Sequence, residues 1–447
     1  MYISNQSFLV LGVSKSGYAV AKHIIKNSGK CYLFEQLESP TINSNIEELN
    51  TLGAILVDKS NVEKIVDEID VLVISPGVPI NHEVAVMAKR KGKRIIGELE
   101  FGYLQSLPCI IAVTGTNGKT TTCTMINDLI KENNQESFLI GNVGKPFTSE
   151  VDNITNTSVC VTEVSSFQLE SVNSFCPHIS CVLNIAPDHL ERHYTMENYV
   201  FLKKRIFKNQ KQSEYTLLNY DDEMVKEFAS ETNGKVVWVS TKQKVDGAYL
   251  QDGILYFKED PVINVSDLPV GGLHNVYNAL FTISVGVILG IKKEVIEKSL
   301  KNFKGIKHRI ELILEKDGVK YYDDSKATNI ASTLTALSSM QNPTLLILGG
   351  SEKGENYDEL FSKVKSMPVK HVILTGDSKY HMLESAGRVG WTELTLTPDF
   401  DYAVKIASLI ANEGDNVLLS PACASFDKFS NFEERGDRFS AIVRGLN

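Results

Sequence analysis

The sequence has no surplus of positive charge, no long apolar run, no cysteine framework and no internal repeat. Each absence removes a class of protein. Lysine and arginine number 46 against 55 aspartate and glutamate, a net charge of −9. A general nucleic-acid binder needs a basic face, so nucleic acid is not expected as a partner, although a local basic pocket for phosphate stays open. No stretch approaches the roughly 20 apolar residues that span a bilayer. The opening residues, MYISNQSFLVLGVSKSG, lack the basic start of a leader peptide. A membrane is therefore not an expected partner, and a cytoplasmic location is expected. The seven cysteines are scattered and form no C-x-x-C, which reads as free thiols in a reducing compartment.

What is present is a long alternation of short β-type runs and helical patterns over 447 residues. The length suggests about three domains, and the alternation predicts α/β layers with largely parallel sheets. The first, residues 1–97, reads as a Rossmann-like domain with strands FLVLGV, CYLFE, DVLVIS and RIIG. The second, 98–304, holds strands CIIAV, SVCVTEV and ISCVLNI and the helical HNVYNALFTISVGVILG. The third, 305–447, holds strands VKYYDDS, TLLILGG, HVILTG and DNVLLSPA, with a helix over ATNIASTLTALSSM, and is again Rossmann-like.

The strongest chemical signal is IIAVTGTNGKTTTC, residues 110–123. Gly118, Lys119 and Thr120 fit the end of G-x-x-x-x-G-K-[ST], but Val113 stands where the first glycine belongs. A buried strand delivers the chain to a turn, and a helix starts at Lys119. Outward-facing N–H groups at a helix N-terminus suit a phosphate. Gly115 and Gly118 let the backbone approach it, Lys119 reaches the outer phosphates, and the Thr120 hydroxyl can ligate Mg²⁺. The plain alternative is a capped helix after a core strand. Glu163 ends a β-run beside this loop, where a carboxylate holds Mg²⁺ or its water, or is merely an exposed strand-end acid.

Further residues fall at turns after strands. Asp188 and His189 follow a strand and a proline turn. Tyr199, Lys203 and Phe207 are spaced four apart, which places them on one helix face and leaves Lys204 on another. The turn GVSKSG approximates G-x-G-x-x-G with Ser14 in place of the second glycine, and Glu35, 18 residues past Gly17, sits where an acid could grip a ribose. SPGVP, from Ser75, is a second tight loop in the same sheet. In the third domain YYDDSKATN, LGGSEKG and SPACASFDKFSNFEERG occupy three strand ends. Open α/β sheets bind ligands there. Turn chemistry and helix capping by Ser, Asp and Thr would also account for each.

TGTNGKT (114–120), GNVG (141–144), EVSSFQLE (163–170), HNVYNAL (274–280), HR (308–309), DSKATN (324–329) and the long SPACAS stretch together resemble the Mur ligases, over essentially the whole chain. That family's loop reads T-G-T-N-G-K-[ST], which explains the missing first glycine. The resemblance implies a three-domain α/β enzyme with a central P-loop ATPase domain. DSKATN and SPACAS are the motifs of a D-glutamate-adding member. The implied reaction is ATP-dependent addition of D-glutamate to UDP-N-acetylmuramoyl-L-alanine through an acyl phosphate, with two Mg²⁺, by a monomer, in peptidoglycan synthesis.

Carried over residue by residue, the resemblance implies that Gly115, Thr116, Asn117, Gly118, Lys119, Thr120, Thr121, Asn275, Arg309 and Asp324 hold ATP. Thr120, Glu163, His189 and Lys203 serve the metal ions, with Lys203 as an N-carboxylysine and Lys204 as its competitor by spacing. Lys119, His189 and Lys203 are the implied catalytic residues. Ser14, Lys15, Ser16, Glu35, Ser75, Gly77 and Asn142 contact the UDP-linked substrate. Thr328, Lys353, Ser425 and Phe432 contact D-glutamate. Another Mur-type ligase or a folylpolyglutamate-synthase-like ligase is the alternative. A nucleotide-dependent switch lacks its N-K-x-D motif here, and an NAD oxidoreductase is disfavoured by Ser14.

Overall fold

The computed structural model describes residues 1–352, 354 and 356–446. The chain forms two compact units, Met1–Pro269 with Leu273–Phe303, and Val270–Gly272 with Lys304–Asn447.

The first unit contains two sheets. The smaller has the spatial order Ile55–Leu56, Lys30–Phe34, Ser7–Leu11, Val71–Ile74, Arg94–Gly97, and all its pairings are parallel. Its central strands are apolar on both faces because helices cover both sides; Phe8, Leu9, Val10, Leu72 and Val73 are buried. Strand order reverses between Ser7–Leu11 and Val71–Ile74, so the loops that follow them meet: the Ser75 hydroxyl donates to the Gly12 carbonyl at 2.8 Å. The helix Lys15–Lys26 starts at this crevice.

The larger sheet has nine strands. Cys109–Thr114 lies between Ile179–Val182 and Val159–Glu163, with Ser137–Gly141 beyond the latter. Tyr215–Asn219, Lys235–Ser240, Gly247–Gln251, Ile254–Phe257 and Asp260–Asn264 extend the other edge. From Cys109–Thr114 the chain first moves to one side and later returns on the other. The carboxyl end of that strand is therefore a switch point, where ligands bind in open α/β sheets. Helices Lys119–Glu132 and Leu273–Ile288 pack on one face through Ile126, Leu129, Leu280 and Ile283, all fully buried.

The second unit has one sheet in the order Glu311–Lys316, Val319–Asp323, Asn416–Leu419, Thr344–Gly350, Val369–Gly376, Leu394–Leu396. The three polar motifs of the third segment follow the carboxyl ends of three adjacent strands, Val319–Asp323, Asn416–Leu419 and Thr344–Gly350.

The sheets are largely parallel, as expected; the exceptions are an antiparallel meander over 247–264 and the strand Glu311–Lys316, which pairs antiparallel with Val319–Asp323. Two sequence expectations need correction. The helix expected over 327–340 spans Ile330–Ser338, because the Asn329 side chain accepts from Ser332 N and starts it there. The helix carrying Tyr199 and Lys203 ends at Lys204, so Phe207 lies past it, although buried. Among the described residues no helix is long and apolar enough to cross a membrane, and all seven cysteines are free.

Gly17 tests the crevice. A Cβ there would lie 1.8 Å from the Gly12 carbonyl oxygen. Gly17→Ala should cost about 1–3 kcal/mol or more, the range for overpacking. Gly77→Ala, with nothing within 4 Å of its Cβ, should not destabilise. Urea midpoints followed by circular dichroism check both.

Candidate functional site

In the first unit the site is built around the loop Gly115–Gly118. Gly115 has φ +152° and Gly118 φ +85°. A Cβ on Gly118 would meet Asn278 Oδ1 at 2.9 Å, and one on Gly115 would meet Leu183 Cβ at 3.0 Å. The loop is fastened from outside. Asn117 N donates to Asn184 Oδ1 at 2.8 Å, and the Asn184 amide donates to the Asn117 carbonyl at 3.1 Å. Thr116 Oγ1 accepts from Ala186 N at 2.9 Å and pairs with the Tyr199 hydroxyl at 3.0 Å. Thr122 Oγ1 donates to Asn278 Oδ1, and Asn278 Nδ2 donates to Asn275 Oδ1 at 3.2 Å. Thr120 and Thr121 are buried at the start of the helix.

Two amines converge on this loop. Lys119 Nζ donates to the carbonyls of Gly115 (2.9 Å) and Thr116 (2.8 Å). Lys203 Nζ donates to the same Gly115 carbonyl at 2.8 Å and lies 4.6 Å from the centre of the Tyr199 ring. Lys203 is 1% exposed. Burial pushes its pKa well below the usual lysine value and neighbouring Lys119 pushes it further, against the pull of Asp188 and Glu163. Lys204 instead pairs with Glu231 at 2.5 Å on the surface.

Glu163 ends the strand Val159–Glu163 and is buried. Its Oε1 accepts from Asn142 Nδ2 at 2.7 Å, while its Oε2 is buried without a hydrogen-bond partner. A buried carboxylate oxygen left unpaired is costly unless something binds it, so the donor set fits a hard cation. His189 is about half exposed, has φ +54° and lies 3.5 Å from both Asp188 and Glu191. Its ring packs on Phe167.

Of the expected UDP-side residues, all but Asn142, which lies at Glu163, are on the loops or at the helix start around the first crevice. Ser14, Lys15 and Ser16 open the helix Lys15–Lys26, and Lys15 Nζ reaches the Gly144 carbonyl at 2.6 Å. Glu35 accepts from three backbone N–H groups, Val13 at 2.7 Å and Gln36 and Leu37 at 2.9 Å each, so its carboxylate shapes the loops around it. Ser75 is buried and Gly77 exposed.

In the second unit Asp324 is buried and accepts from the Ser420 hydroxyl at 2.7 Å and from Ile310 N at 3.3 Å. Burial raises its pKa to about 7, against the pull of Ser420 and Arg309. Ser425 is buried, Thr328, Arg309 and Phe432 are half-buried, and Lys326 Nζ lies 5.5 Å from the Phe432 ring centre. Lys353 lies outside the described residues. The sequence reading missed Arg435. Its fully buried guanidinium donates to the Ser325 hydroxyl and carbonyl (3.0 and 2.9 Å) and to the Cys423 and Ala424 carbonyls (3.0 and 3.2 Å), tying two of the loops together. It gave no role to His308, which is buried with Nδ1 2.7 Å from Asp323 Oδ2, and missed His193, whose Nε2 pairs with the Ser166 hydroxyl at 2.9 Å. The only sequence signals for these were HR, DHLERH and the RG of NFEERG.

Three family models match: the N-terminal domain of MurD-like Mur ligases over 6–97, the Mur ligase middle domain over 113–286 and the Mur ligase glutamate ligase domain over 308–423. UDP-N-acetylmuramoylalanine–D-glutamate ligases of Thermoanaerobacter sp. (strain X514) and Clostridioides difficile (strain 630) are each 38% identical over 100% of both chains. That of Streptococcus mutans is 39% identical over 99% of this chain and 98% of its own. Among solved structures, the UDP-N-acetylmuramate–alanine ligase MurC of Thermotoga maritima superposes with a TM-score of 0.63 at 18% identity, over 99% of this chain and 100% of the other. MurF ligase of the same organism, in complex with ADP, gives 0.61 at 15% identity, over 99% and 96%. These two likenesses show the fold.

Asp324 makes stability depend on pH. Its folded pKa is raised to about 7, above an unfolded value near 3.9. Its contribution is therefore fully present below the unfolded value and lost as pH rises through about 7. Asp324→Asn should flatten that decline between about pH 4 and 7. Thermal midpoints of the two proteins across this range check it; parallel profiles would refute it.

Proposed function

The chain belongs to the Mur ligase family, and we propose that it adds D-glutamate to UDP-N-acetylmuramoyl-L-alanine at the expense of ATP, in peptidoglycan synthesis. The observation that carries this is full-length similarity to ligases of that specificity, joined to a phosphate loop with two amines and a buried acid around it.

Carboxylate and ammonium do not condense in water without activation. The alanyl carboxylate attacks the γ-phosphate, giving an acyl phosphate and ADP; the D-glutamate amine then displaces phosphate and forms the amide. The first step brings a carboxylate against a polyphosphate, so the protein's task is positioning and charge neutralisation. In this reading the N–H groups of 115–121 cradle the phosphates and Lys119 leaves its loop carbonyls to contact the outer ones. Asn275, Arg309 and Asp324 hold the rest of ATP. Thr328, Lys353, Ser425 and Phe432 hold D-glutamate. Ser14, Lys15, Ser16, Ser75, Gly77 and Asn142 line the UDP pocket, with Glu35 holding its loops in shape. Residues 1–97, 98–304 and 305–447 are then the UDP, ATP and amino-acid domains.

Mg²⁺ would be held by Thr120, the unpaired Glu163 oxygen, His189 and Lys203, and would supply Lewis-acid stabilisation of the transferring phosphoryl group. A bare ammonium at 203 would add charge beside Lys119. A carbamate reverses the sign and offers the oxygen a hard cation prefers. Carbamylation needs the neutral amine, which the burial of Lys203 supports and the surface ion pair of Lys204 does not.

Two measurements test this. Phosphate release should need ATP, UDP-N-acetylmuramoyl-L-alanine and D-glutamate together; equal turnover with L-glutamate or L-alanine refutes the specificity. Lys119→Ala should lower kcat by about a hundredfold or more while UDP-substrate affinity, measured by calorimetry, stays nearly constant. The modified lysine has its own check. Lys203→Ala should be inactive and partly restored by a short carboxylate, and Lys204→Ala should remain active. Rescue by a small amine instead would make Lys203 a plain cation.

A further inference from the structure

The Arg192 guanidinium grips two segments at once. Nε meets Glu170 Oε1 at 3.0 Å and Nη2 meets Oε2 at 2.6 Å, the two-pronged geometry only arginine offers a carboxylate. The same group donates to three successive carbonyls of the first-sheet loop, Pro76 (3.3 Å), Gly77 (3.3 Å) and Val78 (3.1 Å). Its planar face lies 4.7 Å from the Phe167 ring centre. The Arg192 and Glu170 side chains are only 14% and 9% exposed, so the charge is well shielded and its partners are fixed.

The adjacent His193 shares the Glu170 carboxylate, with Nδ1 3.6 Å from Oε1, and also reaches another way. The His193 ring packs 5.5 Å from Tyr199, whose hydroxyl pairs with Thr116 of the phosphate loop. Consecutive residues of one short helix, Leu190–His193, thus hold the 76–78 loop on one side and back the phosphate loop on the other. The chemistry described above uses neither.

We propose that Arg192 is a positioning residue for the UDP-linked substrate. By anchoring the carbonyls of 76–78 to Glu170, it fixes the substrate loop in register with the phosphate loop before ligand arrives. A loop already ordered costs less to bind against, and the alanyl carboxylate must reach the γ-phosphate within about 3–3.5 Å. This rests on the reading of 75–78 as part of the UDP pocket.

Arg192→Lys keeps the charge but cannot span a carboxylate and three carbonyls. It should raise KM for UDP-N-acetylmuramoyl-L-alanine by about tenfold or more, the scale of a lost charged hydrogen-bond set. KM for ATP and D-glutamate should stay within about twofold. Glu170→Gln, which leaves the arginine but breaks the two-pronged grip, should shift the same KM by a smaller factor. An unchanged UDP-substrate KM in either folded variant overturns the proposal. So does an equal rise in all three constants, which is the mark of a merely structural role. Failure of the wild-type protein to release phosphate with the three substrates would overturn the functional reading, and this inference with it. An active wild type with indifferent variants overturns this inference alone.

Discussion

The Gly115 carbonyl accepts hydrogen bonds from two lysine amines, Lys119 and Lys203. Much of the first unit is arranged to make this contact possible. Two ammonium groups on one oxygen repel strongly where water is excluded, and Lys203 is almost wholly buried. The helix Met196–Lys204 presents Lys203 to the loop, and the Tyr199 ring covers it. Repulsion and desolvation together push Lys203 towards its neutral form. The loop must hold its carbonyl in place for both. Asn184, Ala186 and Tyr199 do this from outside, and the glycines allow the close approach.

The strand–loop–helix at 109–132 was legible because several local signals agree there: a continuous apolar run, two glycines at positive φ and a helix that begins at Lys119. The parallel cores were legible for the same reason, since strands buried on both faces read as unbroken apolar runs. The antiparallel meander of the larger sheet was passed over, although Asp252-Gly253, both at positive φ, is a strong hairpin signal. Its strands are only four or five residues long, so each apolar run is brief. The ends of helices were less legible than their presence. Asn329 starts its helix by accepting a backbone N–H, and the stretch before it reads equally well as helix.

The buried guanidiniums were illegible for a different reason. Arg192 and Arg435 are satisfied largely by backbone carbonyls, which carry no side-chain signature. Arg435 binds Ser325, far away in the chain, and only the folded sheet shows that the two segments meet. In the sequence, RG closes a long polar stretch, and Glu170 and Arg192 are 22 residues apart with nothing that pairs them.

The two arginines also solve one problem in two ways. Loops at the carboxyl ends of strands present several carbonyl oxygens to the same space, and these need donors if they are to be buried. Arg192 meets three of them and balances its charge on Glu170. Arg435 makes no carboxylate salt bridge among the described residues and spreads its charge over carbonyls and a hydroxyl; burial lowers its pKa to about 10, still far above neutrality. A guanidinium suits both places because its donors lie in one rigid plane and its charge is weakly hydrated. An ammonium of the same charge would meet fewer carbonyls and lose more hydration. Loops that must be both polar and fixed are therefore held here by guanidiniums, while Lys119 and Lys203 bring their amines to the phosphate loop itself.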